Sequence, residues 1–158
     1  MRTLRRPRLA LAALGLMLLA GGCGSNPFDF DELERERQAL AEARQQWAST
    51  GVDSYEFTVS VHCMCGPLEM RVRVIDGAVV SRVYLRDGQP VPANELSGHD
   101  TVEELFAYLE YALDRRPAEI EAEYDARGVP TSVFVDWSKN AMDEEGGFGV
   151  SDFTLIQG

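Results

Sequence analysis

Polar and apolar positions change period several times along this chain, and each change marks an element. From Tyr55, the residues Tyr55, Phe57, Val59, Val61 and Cys63 alternate with Glu56, Thr58, Ser60 and His62. A period of two predicts a half-buried strand. The run "LEMRVRVIDGAVVSRVYL" follows, with Asp76-Gly77 between two β-rich segments. That dipeptide predicts a two-residue hairpin. A regular hairpin sets Val74 opposite Val79, Val72 opposite Ser81, Met70 opposite Val83 and Leu68 opposite Leu85. One face is then almost wholly apolar. The other collects Arg71, Arg73, Arg82 and Glu69, with Arg86 just beyond.

Two segments switch to a helical period. In "DFDELERERQALAEARQQWASTG" the acids lead, and Leu33, Leu40 and Trp47 recur every seven residues. The early acids suit a helix N-terminus, and the narrow stripe predicts a surface helix docked by Trp47. "TVEELFAYLEYALDRRP" carries a capping box in Thr101 and Glu104. Val102, Leu105, Phe106, Leu109 and Leu113 share one face, and Pro117 ends the helix. Alternation returns in "AEIEAEYD", with Glu119, Glu121, Glu123 and Asp125 on one side. It continues in "TSVFVDW" and near "FGVSDFTLI". The order is helix, three strands, helix, three strands. It predicts an α+β fold: an antiparallel sheet of about five to six strands with two helices packed on one face.

The N-terminus follows different rules. Arg2, Arg5, Arg6 and Arg8 precede an apolar run from Leu9 to Ala20, then small residues and Cys23. The run is shorter than the roughly 20 residues a membrane span needs, so the layout is that of an export signal. "LAGGC" resembles a bacterial lipobox, in which a peptidase cuts before the cysteine and its thiol carries a lipid. The expected organisation is a signal peptide at 1–22, a tether at 23–31 and one α+β domain at 32–158. The expected location is extracytoplasmic, lipid-anchored through Cys23 to the cell membrane or outer membrane. Without the four arginines of the signal, the chain keeps 11 basic against 26 acidic residues, a net charge of −15. Such a chain repels nucleic acid, so the expected partners are the membrane, through the lipid, and an envelope protein or ligand.

Trp47, Tyr55, Cys63 with Cys65, Gly77 and "TVEELF" occur in that order. "YDARGVP", Asp136, "DEE" and "VSDF" follow. Together, over about residues 45 to 154, they resemble a family of uncharacterised bacterial envelope proteins, a domain of unknown function found mostly in secreted or lipid-anchored chains. The resemblance implies an extracytoplasmic single domain and brings no assigned activity, cofactor or site.

Candidate chemistry is sparse. Cys63 and Cys65 stand in an oxidising compartment, which favours a disulfide. Strand geometry opposes it, because residues i and i+2 lie nearly 7 Å apart while bonded Cβ atoms lie about 3.8 Å apart. Gly66-Pro67 offers the turn that would reconcile the two. Buried thiols, a metal site and a redox pair stay open beside the disulfide. Arg71, Arg73, Arg82 and Arg86 form a candidate surface for an anion or partner, against plain cross-strand pairing with carboxylates. Asp136, Asp143, Glu144 and Glu145 are a weak calcium candidate, because the loop lacks the glycine and glutamate of an EF-hand. His99 reads as a surface residue. No catalytic constellation and no cofactor motif stand out. The expected role is therefore a binding or structural module of the envelope. The alternative is a thiol-redox or hydrolytic enzyme using the Cys63/Cys65 region.

Overall fold

The structure is a computed structural model. It describes residues 27–62, 68–92, 95, 98–141 and 144–156, with side chains from residue 32 onward. Eight elements follow in order: α1 (Pro27–Thr50), β1 (Tyr55–His62), β2 (Leu68–Ile75), β3 (Ala78–Tyr84), α2 (Val102–Asp114), β4 (Glu119–Tyr124), β5 (Pro130–Asp136) and β6 (Glu145–Leu155). The strands form one six-stranded sheet in the order β3-β2-β1-β6-β5-β4. Every neighbouring pair is antiparallel. The last strand thus closes the sheet by inserting between β1 and β5. α1 begins at Pro27, inside the segment expected to be tether. A proline is tolerated there because the first helical N–H groups have no intrahelical partner.

Both helices cover the face that the alternation marked as apolar. β1 contributes Tyr55, Phe57, Val59 and Val61; β2 contributes Met70, Val72 and Val74. Val102, Leu105, Phe106, Leu109, Ala112 and Leu113 of α2 are buried against them, as are Leu40, Ala43 and Trp47 of α1. The start of α2 is held by three bonds. Thr101 Oγ1 accepts from the Glu104 N–H at 3.1 Å, and Glu104 reaches back to the Asp100 N–H at 2.8 Å. The buried Tyr55 hydroxyl accepts from the Val102 N–H at 3.1 Å. Three of the orphan donors around the helix start are thereby satisfied, one of them by a side chain from the central strand.

α1 runs antiparallel to α2 and ties it at both ends. Arg37 bonds Asp114 and the Leu113 carbonyl, whereas Trp47 Nε1 donates to Glu103 at 2.9 Å. Trp47 also meets Tyr55 and Phe153 edge-on, with centroids at 5.5 and 5.9 Å. The β4–β5 turn sits directly on the α1 backbone. Gly128 has φ +85°, and a Cβ there would lie 2.2 Å from the Ala43 carbonyl oxygen. Only glycine fits both constraints.

The hairpin register differs from the regular one. Val74 does face Val79, but Val72 faces Arg82 and Met70 faces Tyr84, with the register shifting between Arg73 and Val74. Val80 is the extra residue of a β-bulge. One inserted residue reverses the faces beyond it. Arg82 therefore turns to the helix side of the sheet.

Candidate functional site

Neither helix packs on the second face of the sheet, where Thr58 is nonetheless buried by its neighbours and donates to Asp152. On β2, Arg73 and Arg71 lie beside Glu56 and Thr58 of β1, and beside Ser81 and Val83 of β3. The middle of the face is low. Ser60 pairs with Gly149, which pairs with Ser132; His62 pairs with Gly147, which pairs with Phe134. At the far edge, Glu119, Glu121 and Glu123 project from β4 beside Asp136, Phe134 and Ser132. The face is thus predominantly acidic: Arg71 and Arg73 stand among Glu56 and Glu69 at one end, Asp152 accepts from the Thr58 hydroxyl nearer the middle, and a row of carboxylates lines the far edge. Phe134, 37% exposed, is the large apolar group near its centre. Arg71 is 4.0 Å from Glu56 in a solvent-facing contact. Such a contact contributes little.

The four arginines do not act as one patch. Arg71 and Arg73 share the open face. Arg82 is a correction to the sequence reading: the bulge carries it inward, where it pairs with Asp100 at 2.8 Å, both side chains about nine-tenths buried. Its other nitrogen donates to the carbonyls of Pro92 and Glu95. Arg86 lies over the Tyr84 ring at 4.6 Å and pairs with neighbouring Asp87 at 3.1 Å. Arg82 is therefore a structural clamp on the connector between β3 and α2. Burial pushes the Asp100 carboxyl up, and the adjacent Arg82 charge offsets that only in part. A groove of about 520 Å³ runs along the outer edge of β3, lined by Val79, Val80, Arg82, Val91 and Asp100.

His99 is likewise not a surface residue. Its ring lies against Tyr108 and Phe148, with centroids at 5.3 and 5.4 Å. Both ring nitrogens are buried with no hydrogen-bond partner among the described residues. Burial lowers its pKa, opposed only by the Glu104 charge. Nothing in the sequence around "SGHD" marks this packing, which depends on where α2 and β6 meet. Asp136 and Glu145 face each other across β5 and β6, and Asp136 Oδ1 accepts from the Ser138 N–H at 2.8 Å. No group of three metal-ligating side chains gathers among the described residues. Cys23, Cys63, Cys65 and Asp143 lie outside the described residues. No described helix is long and apolar enough to cross a membrane.

Fold and surface define an α+β architecture among the described residues, a six-stranded antiparallel sheet with two helices packed on one face. The chain belongs to a family of unknown function, DUF6174, which it matches over residues 39–155. No curated protein and no solved structure matches it.

Proposed function

We propose that this chain is a lipid-anchored, extracytoplasmic binding or structural module of the cell envelope, held at the cell membrane or outer membrane through Cys23. The sequence layout before Cys23 supports the anchor. The observation that carries the binding role is the open, acid-rich sheet face, on which the glutamates of β4 have no ion-pair partner among the described residues. Three unpaired carboxylates in register on an edge strand repel one another unless a partner or counterion answers them. The side-chain ion pairs of the helix layer are internal: Arg37 with Asp114, and Arg44 with Glu110. Polar groups in the fold mostly serve as braces, among them Glu103 under Trp47 and Arg82 on Asp100. A binding surface needs no convergent nucleophile or proton carrier; an enzyme does.

Two measurements test this. Intact-mass analysis of protein extracted from membranes should show a chain beginning at Cys23 and carrying lipid. An unmodified chain starting elsewhere would refute the anchor. Crosslinking in cells followed by peptide mass spectrometry should place adducts on β2, β4 and β5 residues of the open face. Adducts confined to the helix layer would refute the surface.

A further inference from the structure

We propose that the open sheet face docks a lysine- or arginine-rich segment of another protein. The inference names the chemistry of the partner for the surface proposed above and rests on that reading.

Charge sets the sign of the partner. Across the face, one row of paired positions runs Glu69, Ser60, Gly149, Ser132, Glu123. The next runs His62, Gly147, Phe134, Glu121, and then come Glu145, Asp136 and Glu119. None of these rows carries a lysine or arginine. Glu69, Glu121 and Glu123 have no ion-pair partner among the described residues. Arg71 and Arg73 stand one and two levels beyond Glu69, where Glu56 and the Asp152 bonded to Thr58 already bring carboxylates. Arg86 lies over the Tyr84 ring and pairs with Asp87. Carboxylates fixed on neighbouring strands create a negative potential that steers a cationic segment to the face and rejects an acidic one.

The relief of the face sets the bulk of the partner. Glu69 on β2 and Glu123 on β4 end one row and are four strand spacings apart, roughly 19 Å. Between them Ser60, Gly149 and Ser132 make a low floor, with Gly147 beside it. A helix is about 10–12 Å across, so one helix fits on the floor with basic side chains reaching both walls. Phe134 adds an aromatic ring on which a guanidinium or a lysine stem rests. The two glycines have different causes. At Gly147 a Cβ would run into the Val133 carbonyl oxygen, so the fold itself demands glycine. At Gly149 a Cβ would lie 3.9 Å from the Thr131 carbonyl oxygen, an ordinary contact, and the backbone is not left-handed. The fold therefore accepts a side chain at 149, and a glycine inside a strand weakens it. Close approach by another chain gives that glycine its reason.

The test uses the full chain expressed in cells, with photoreactive p-benzoylphenylalanine in place of Phe134, and sequences the captured peptide by mass spectrometry. That peptide should come from another protein and hold lysine and arginine in excess over acids. Glu121→Lys with Glu123→Lys should reduce the adduct about tenfold or more, because one wall then repels the segment. Glu34→Lys with Glu42→Lys makes the same change in net charge at exposed positions of α1. It should leave the adduct within about twofold, since charges on the far side of the sheet are screened. Gly149→Leu should melt no lower than wild type and reduce the adduct about fivefold or more, by filling the floor. Glu121 and Glu123 are exposed, so their arm decides independently of how the Gly149 variant folds. A captured peptide that is neutral or acidic, or that comes from a second copy of this chain, would overturn the inference and leave the binding-module reading standing. So would an adduct indifferent to the β4 reversal, one lost equally in the α1 variant, or one unchanged in a folded Gly149→Leu chain. No protein adduct at all would overturn both.

Discussion

Replacing Asp100 with alanine leaves the Arg82 guanidinium without its counter-charge in a place water barely reaches. The pair is close, at 2.8 Å, and the side chains retain only 10% and 11% of their exposure. Removing one member of such a pair costs about 3–5 kcal/mol, because the remaining charge stays buried. Arg82 keeps two other acceptors, the carbonyls of Pro92 and Glu95, so the lower end applies. We expect about 3 kcal/mol for Asp100→Ala, which in a domain of this size lowers Tm by about 12 °C. Arg82→Met combined with Asp100→Leu removes both charges and keeps the volume, and should cost less than about 1 kcal/mol. The assay is urea unfolding followed by the fluorescence of Trp47, which is buried and changes environment when α1 leaves the sheet. Two results would refute the reasoning. One is a single variant within about 1 kcal/mol of wild type, since the pair would then be effectively solvated. The other is a double variant as unstable as the single one, since lost connector contacts and not charge would then dominate.

Gly128→Ala should cost about 2–4 kcal/mol, the sum of a positive-φ penalty and a clash with the Ala43 carbonyl, read as a lower urea midpoint. His99 supplies a pH dependence. Its folded pKa is lowered by burial, so between about pH 6.5 and that lowered value the unfolded chain binds the proton first. Stability should therefore fall as pH drops below 6.5, and His99→Phe should flatten that fall between pH 7.5 and 5.5, measured by urea midpoints. For Cys63 and Cys65 we expect a local disulfide. Alkylation of native-purified protein under denaturing conditions should label neither cysteine until reductant is added, and labelling of both without reductant would remove the bond.

How much of this was legible depended on whether a residue's place is set by its neighbours in sequence or by its neighbours in space. The period-two alternation of Tyr55 to Val61 and the capping box at Thr101 are local, and both elements form as their patterns require. The paired β1–β2 face and the apolar side of α2 followed for the same reason. The position of Arg82 did not, because a single unpaired residue decides which face it takes, and "AVVSRVY" reads equally well with or without a bulge. His99 was missed for a different reason: its burial is created by Tyr108 and Phe148, nine and forty-nine positions away in the chain. The Tyr55 hydroxyl at the start of α2 is a similar case. Of the candidate surface, Arg71, Arg73 and the glutamate row could be seen separately in the sequence. Their placement on one face, across β1 and β6, came only with the strand order.

The bulge also yields a prediction about chain length that contacts alone do not suggest. Removing one residue from a paired strand usually exchanges its faces beyond the cut. Val80 is the exception, because β3 passes from Ser81 opposite Arg73 to Val79 opposite Val74 with Val80 unpaired. Deleting Val80 makes that ladder regular and leaves Arg82 opposite Val72 and Tyr84 opposite Met70. Val80 is 56% exposed, so little burial is lost. We expect the deletion variant to melt within about 5 °C of wild type, the effect of roughly 1 kcal/mol. Deleting Val72 instead shifts the rest of β2, turning Met70 outward and Arg71 into the core, and should abolish folding. The Val80 deletion carries a different cost. A straight, uncharged edge through Ala78, Val79 and Ser81 is a better template for strand addition than a bulged one. Static light scattering should therefore show slow, concentration-dependent growth of the deletion variant under conditions where wild type stays constant. If the Val80 deletion unfolds as readily as the Val72 deletion, the bulge is not the register device described here. If it folds but scatters no more than wild type, the bulge serves packing and not protection of the edge.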